Sequence, residues 1–585
     1  MRVPGAPPYA PAVRRLAAAI PALLGSLAIA APAGAVPGFS YVQTISDTTV
    51  AATHPAVATD ARGDAIAAWP VISDAGDRVQ WAYKPAGGTF GPPQNVFGAL
   101  PHGQALYARY PAIAMDDAGD AIVTWSHGEA GTDPSGGTIQ AAFRPAGAGT
   151  SFGAPATLSA PGAGMEPEVA MGPHGQAVVS WNGAHPVSVD GGGVVADGEL
   201  AAYSSGGGTF GPAERLSDPA APFSANSTTT PALGADGAAY VSWSGPRNSP
   251  GNHTGVFLAA RPAGAAAFAP ADVIDDEGLD YPGPTHLAVD GSGGVVATWS
   301  RQTSGTTSTR VRWAYRPAGG GFGVPADLTS GSLGIGGDVA VGPGGGAVAA
   351  VATAGAVVGE DTPFAIGASF RPSGGTFGPL GGLAPEAHSS IPSVGAGSDS
   401  FAVMWSQTDS IRFALAPVAT GAFAAARDVA GTEPQAYWPT VVLDGSGSGV
   451  GVFQVTDAST GEIQAVFDAP RDTVAPRLAT TPAPVRLAGR AIPFKVACDE
   501  ACRLVVTGTV SVPGGAAAAF RLGRATRSLK PGVHAKLTLL LPRAAAATVK
   551  RALARHKHVA ARLTVSARDH RGNKRTSRVT LRLKR

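Results

Sequence analysis

Cysteine is almost absent from this chain: Cys498 and Cys502 are the only two in 585 residues. A framework of many disulfides and a four-cysteine zinc site are therefore excluded as its organising principle. Charge is scarce too, at 14% of residues against 44% hydrophobic ones. That balance excludes the disordered class, which combines low hydrophobicity with high net charge. Beyond the N-terminal region no stretch approaches 20 uninterrupted apolar residues, so no membrane span is expected. H-E-x-x-H, G-x-S-x-G, a phosphate-binding loop and a D-x-D-x-D-G calcium loop are all missing. "DGSGSG" (444–449) accordingly reads as a turn, and neither a cofactor nor a metal is expected.

What the chain does hold is 80 glycines and 50 prolines, which favour many short strands joined by turns over long helices. Residues 1–35 read as a signal peptide: Arg2, Arg14 and Arg15, an apolar run from Leu16 to Ala31 broken by Pro21, then a small-residue "AGA" at 33–35. A secreted or extracellular protein, associated with the cell wall or free, is the expectation.

Two strings recur. "PAVATDARGDAIAAW" (55–69) returns as "PAIAMDDAGDAIVTW" (111–125) and "PEVAMGPHGQAVVSW" (167–181), with looser copies ending at Trp243, Trp299, Val351, Trp405 and Phe453. Copies 48 to 62 residues apart match a propeller blade of four strands. Within each copy an Asp-x-x-Gly turn joins two strands: Asp60 to Gly63, Asp116 to Gly119, Asp290 to Gly293 and Asp444 to Gly447. Aspartate there accepts backbone N–H bonds, and glycine tolerates the closing geometry. "WAYKPAGGTFGPP" (81–93) is the third strand and its turn. It recurs as "AAFRPAGAGTSFGAP" (141–155), "WAYRPAGGGFGVP" (313–325) and "ASFRPSGGTFGPL" (368–380).

The first string has eight copies, while the aromatic after the second follows only seven of them, as Phe90, Phe152, Phe210, Phe268, Phe322, Phe377 and Phe423. The last copy, "IQAVFDAPRD" (463–472), stops where its fourth strand should begin, and "GFSYVQTIS" (38–46) carries an orphan Phe39. A missing strand at one end and a spare at the other predict a ring closed by strand exchange, which covers apolar faces that an open row leaves bare. The fold class expected is all-β: an eight-bladed propeller over 36–470 closed by an N-terminal strand, with seven blades the alternative count. A Pro-rich linker at 471–484 leads to a domain at 485–585 with strand candidates and one helix candidate starting at Pro542.

The Asp-turn-Gly-apolar-Trp string resembles a degenerate form of the Asp-box repeats of sialidase-type propellers. The tail, with Cys498-x3-Cys502 and Asp569-x-x-Gly572-Asn573, is similar to Ig-like domains of secreted bacterial surface proteins. The first resemblance implies that the repeated Asp and Trp stabilise blades, and implies no activity.

For an exported chain, Cys498 and Cys502 favour a disulfide over free thiols, and the second half of a zinc site is missing. Trp69, Trp125, Trp181, Trp243, Trp299 and Trp405 read as repeat-core packing, with sugar stacking the sharper alternative. Lys84, Arg144, Arg261, Arg316 and Arg371 read as solvated hairpin cations. Glu166, Glu168, Arg109, Tyr110 and Tyr281 break the repeat without forming a recognisable catalytic set, so no catalytic residue is assigned. Residues 471–585 hold 25 Lys+Arg against 4 Asp+Glu, a net +21, whereas 36–470 hold 15 against 37. So uneven a charge points to an anionic partner for the tail. The functional expectation is a monomeric binding or scaffold protein, its basic tail attached to an anionic cell-envelope polymer or glycan. A sialidase-like glycoside hydrolase is the alternative.

Overall fold

The computed structural model describes residues 38–585 apart from 74–75, 99–110, 128–137, 148, 161–163, 190–192, 220–227, 247–253, 304–307, 331–332, 356–361, 390, 409, 430–435, 457–460, 469–476, 481–483, 500–501, 514–518, 531–532 and 570–573. The export signal read at 1–35 lies outside the described residues, as does most of the linker. A short strand, Leu478–Thr480, lies within the stretch read as linker.

The chain is all-β with a single helix among the described residues, and four-stranded antiparallel sheets recur along its body. Around Trp69 the strands Ala56–Thr59, Ala65–Ile72, Arg78–Lys84 and Gln94–Asn95 are neighbours in that order. The sheets around Trp125, Trp181, Val351 and Trp405 repeat the pattern. Those around Trp243 and Trp299 share one long strand, Asp272–Val289, whose first part is the last strand of one and whose final part is the first strand of the other.

Around Phe453 the C-terminal part of the body supplies only Ala436–Leu443, Gly449–Thr456 and Gly461–Phe467. The fourth strand is Tyr41–Thr44, with Tyr41 opposite Phe467 and Thr44 opposite Gln464. Consecutive first strands pack side by side through the body, and Ala436–Leu443 packs in turn on Ala56–Thr59. Phe39 sits edge-on to Phe413 at 4.9 Å, Phe90 to Phe467 at 5.7 Å and Phe152 to Trp81 at 5.1 Å. In each case a fourth-strand phenylalanine meets a third-strand aromatic of the preceding sheet, so Phe39 has the same neighbours as its in-chain counterparts.

Asp60 Oδ1 accepts from the backbone N–H of Arg62 and Asp64, both at 2.9 Å. Asp116, Asp290 and Asp444 accept in the same way from the residues two and four further on. Gly63 has φ +92° and Gly119 φ +93°, and a Cβ on Gly63 would run into the Asp444 carboxylate of the neighbouring turn. Glycine is needed there for conformation and for space. Trp69, Trp125, Trp181, Trp243, Trp299 and Trp405 are all buried. Their faces are closed to a sugar. The Trp299 indole N–H donates to Asp275 at 3.0 Å and that of Trp405 to Gln407 at 3.4 Å.

The solvated reading of the hairpin cations does not hold. Arg144 and Arg371 are each 1% exposed and Lys84 is 6% exposed. Each lies over an aromatic ring of the preceding sheet: Lys84 over Phe467, Arg144 over Tyr83 at 4.8 Å, Arg261 over Tyr203 at 3.7 Å, and Arg371 over Tyr315 at 3.9 Å. Arg144 also donates to the carbonyls of Gly147 and Thr150. A cation on a ring face gains about 0.5–2 kcal/mol, more where water is excluded. Burial lowers the Lys84 pKa, with the nearby carboxylates of Asp444, Asp468 and Asp64 opposing.

In the tail, Leu478–Thr480, Ala491–Cys498 and Ala535–Leu540 form one sheet. Lys574–Lys584, Ala560–Asp569 and Cys502–Ser511 form the body of a second, with Phe520–Arg521 and Ala525–Leu529 both paired to Cys502–Ser511. The helix Arg543–Ala554 follows Pro542, whose missing N–H costs nothing at a helix start, and turns Ala545, Val549, Ala552 and Leu553 into the shared core. Cys498 ends a strand of the first sheet and Cys502 begins one of the second. Their sulfurs lie within disulfide reach, with Cα atoms 6.7 Å apart.

Two outcomes follow from this packing. Phe39→Ala should lower unfolding stability in urea by about 3–5 kcal/mol, the range for a buried phenylalanine; a loss under 1 kcal/mol would show that the N-terminal strand is not held in the sheet. Arg144→Ala should cost about 1–3 kcal/mol, where a solvated arginine would change stability by less than about 0.5.

Candidate functional site

Every first strand enters its sheet at the end opposite the Asp turn, and in several copies the residue before the entry is followed by proline. His54-Pro55, Glu166-Pro167 and Trp438-Pro439 occupy this position. Their φ values are 43°, 49° and 48°, left-handed backbone that side chains normally avoid, while Gly336 takes φ +80° just before the Val351 sheet's first strand regains its register. A residue preceding proline is driven toward extended backbone, so these are doubly disfavoured. Three of the four coincide with slips in strand register, between Met165 and Glu168, between Tyr437 and Thr440, and between Gly336 and Asp338. Such bulges re-aim side chains. Gly336 shows that the backbone alone can be served by glycine, yet three sheets place an imidazole, a carboxyl and an indole there.

Trp438 is 49% exposed and Tyr437 is 42% exposed. His54 stacks on Trp438 with ring centroids 4.0 Å apart and planes at 23°. The His54 backbone N–H donates to Gln454 Oε1 at 3.3 Å, and Gln454 Nε2 donates to Thr456 Oγ1 at 3.1 Å. This aromatic cluster bridges the Phe453 and Trp69 sheets. Planar rings at water with polar edges suit a ligand having one apolar face and a hydroxylated rim.

Acidic groups sit at the same end of other sheets. Glu168 is exposed to solvent by its surface area, although neighbouring protein crowds its carboxyl. Burial, and second the Glu166 carboxylate, push its pKa up to about 7. Water reaching it offsets part of that penalty without reversing the direction. Glu166 is raised by burial. Further round, Asp338 accepts from the Val394 N–H at 2.7 Å and faces His286 Nδ1 at 3.7 Å, linking three consecutive first strands. Burial raises the Asp338 pKa and His286 opposes it.

The Asp60, Asp116, Asp290 and Asp444 turns lie at the other end of their sheets, and the Cys498–Cys502 pair lies in the tail, so neither shares this site. Arg109 and Tyr110 lie outside the described residues, and Tyr281 falls in the strand Asp272–Val289. Among the described residues no three His, Cys, Asp or Glu side chains are grouped to hold a metal ion. Trp438, Tyr437 and His54 were not singled out by sequence. Their signal is an aromatic before a first-strand proline, outside the repeated string.

No protein-family profile matches the chain, and no curated protein matches it. Among solved structures it is similar to a protein of unknown function from Dyadobacter fermentans DSM 18053, at TM-score 0.37 and 13% identity, covering 73% of this chain and 98% of that one. A polysaccharide lyase of family PL25, an ulvan lyase bound to -[GlcA(1-4)Rha3S]-, is similar at TM-score 0.42 and 12% identity, covering 74% and 96%. So is the α-L-arabinanase of Penicillium chrysogenum complexed with arabinobiose, at TM-score 0.34 and 10% identity, covering 73% and 98%. Likeness at this level bears no weight for function, which rests on the chain's own residues.

The raised Glu168 carboxyl has a consequence for stability. Its unfolded pKa is the ordinary 4.5, so folding disfavours the ionised form, and this costs stability as pH rises from about 4.5 through about 7. Glu168→Gln should therefore raise Tm at pH 8 and leave it unchanged at pH 4, as read by calorimetry. An equal shift at both pH values would place the cause elsewhere.

Proposed function

We propose that the chain is a secreted or cell-surface glycan-binding protein, built as an eight-bladed β-propeller closed by its N-terminal strand and carrying a basic Ig-like domain. In this reading the propeller presents the Trp438, Tyr437 and His54 cluster to a sugar chain, and the tail attaches the molecule to an anionic envelope polymer or glycan. Cyclic contact of the first strands and the pairing of Tyr41–Thr44 with Gly461–Phe467 support the closed ring. Two packed sheets joined at Cys498 and Cys502 support the Ig-like assignment. The observation that carries the binding function is the exposed Trp438 ring, held in left-handed backbone against His54. Strain kept at a water-facing aromatic is of no use to the fold.

Cleavage of glycans is the second reading, favoured by the placing of two carboxyls, Glu166 and Glu168, at one strand-entry bulge, where crowding and mutual repulsion raise the Glu168 pKa toward the range a general acid needs. Turnover of a sialoside or a uronate polymer that disappears in Glu168→Gln would establish it, and no turnover across a glycan panel would end it.

Screening the full chain on an array of neutral and acidic oligosaccharides tests binding. Trp438→Gly should lose about tenfold or more in affinity, ~1.4 kcal/mol. Stability should change by less than about 1 kcal/mol, because relief of left-handed strain offsets the lost stacking and glycine's unfolded-state entropy. Unaltered glycan binding in that variant would remove the aromatic cluster from the function.

A further inference from the structure

The tail's positive charge is not spread evenly in chemical terms. Within the second sheet, Thr509 lies opposite both Arg562 and Arg521, and Arg562 lies opposite Thr580. One pleat along the same strands, Thr507 is opposite Thr564, which is opposite Arg578. Paired residues, and those two apart, share a face. Their sequence neighbours Val510, Leu563, Leu522 and Val579 are buried in the tail core, so the arginines and threonines occupy the outer face. That face is concave. Phe520–Arg521 and Ala525–Leu529 pair with different parts of Cys502–Ser511, and the Leu522 N–H donates to the Gly508 carbonyl between them, where the edge bends. The groove so formed has a volume of about 750 Å³.

Among the described residues its lining contains three arginines, four threonines and no carboxylate. In the body, Arg62, Arg310, Arg312 and Arg412 are each paired with an aspartate. Among the described residues no tail arginine is seen paired with an aspartate or glutamate, and Arg486 donates to the backbone oxygen of Arg585, away from the groove. Like charges left uncompensated on one face repel and weaken the fold unless a ligand answers them. Guanidinium forks bind carboxylate, sulfate and phosphate oxygens bidentately.

We infer that this groove, lined by Arg521, Arg562 and Arg578, is the binding site for an anionic polysaccharide, its carboxylates or sulfates on the arginines and its ring hydroxyls on Thr507, Thr509, Thr564 and Thr580. The inference rests on the proposed attachment role of the tail and locates it. Arg521 and Arg562 stand two strands apart, on the order of 10 Å, with Arg578 on the next strand and offset along it. An extended chain with repeated acidic groups meets that spacing, whereas a single small anion satisfies one arginine. Among the described residues no aromatic side chain lines the groove. Nucleic-acid bases would find no stacking platform, which single-strand binders use.

Full-length protein is titrated with heparin and with polygalacturonate at several salt concentrations, a single-stranded oligonucleotide serving as comparison. The triple variant Arg521→Gln, Arg562→Gln, Arg578→Gln is set against Arg543→Gln, Arg551→Gln, Arg555→Gln, which removes the same charge from the exposed face of the helix. The groove variant should lose about tenfold or more in affinity for one of the two polysaccharides, and its slope of log K against log salt should fall by about 2–3. The helix variant should lose less than about twofold, with unchanged Tm in both. Thr509→Val with Thr564→Val should weaken binding while leaving the salt slope in place. Equal losses in the two arginine triples would overturn the groove and leave diffuse attraction. Tighter, groove-dependent binding of the oligonucleotide would overturn the ligand class. Failure of the unmodified protein to bind either polysaccharide would sink the attachment role itself, a result distinct from the other two.

Discussion

Everything in the body depends on four residues, Tyr41–Thr44, lying against Gly461–Phe467. Without them the last sheet ends on an open edge and the Phe39 contact to the preceding sheet is lost. Strand edges and apolar faces left in water invite association rather than folding. The seam also makes the candidate site. Trp438 belongs to the sheet completed by the N-terminal strand, and His54 to the sheet that begins the row. Their rings stack only because chain positions nearly four hundred residues apart are brought side by side. The aromatic cluster therefore depends on contact between the last sheet and the first.

The two ends of the sheets are built on opposite terms. At the Asp-turn end each carboxylate is satisfied by backbone N–H groups, glycines fill the contacts between turns, and the hairpin cations are consumed by rings of the preceding sheet. Little there is left to offer a ligand. At the other end, side chains sit in left-handed backbone at bulges, and one of them is a half-exposed indole. Each such residue stores on the order of 1–2 kcal/mol. A small domain would feel that strain, while a body whose sheets are each covered by two neighbours can hold it. Rigidity at one end is what permits strain at the other.

Much of this was legible in the sequence because repeats report their own errors. The Asp-x-x-Gly turns and the periodic tryptophans gave the strand order, and the phenylalanine missing after the eighth copy pointed to Phe39. The hairpin cations were misread for a physical reason: formal charge is a property of the residue, whereas burial of Arg144 and Arg371 depends on a tyrosine one sheet earlier, invisible without the packing. Trp438 is not legible because it lies in the stretch around the first-strand proline, outside the better repeated part of the string, and pre-proline backbone with positive φ is not expected from propensity. The groove on the tail needed strand register. Arg521, Arg562 and Arg578 are separated by 41 and 16 positions in the chain and share a face only once Thr509, Arg562 and Thr580 are aligned.

The two surfaces differ in the physics that would govern them, and this decides how they would act together. Contact through Trp438 and His54 is desolvation of flat rings, which salt barely changes. Contact through the tail arginines is ion pairing with displaced counterions, which weakens steeply with salt. The acidic body carries 37 carboxylates against 15 cations over residues 36–470. That charge would repel the polyanions proposed for the tail. On the proposed attachment, a molecule held on an anionic matrix by its tail would keep its body off that matrix, leaving the aromatic end open for a different, less charged sugar chain. Opposite charges on the two halves would thus separate two ligands rather than double the affinity for one.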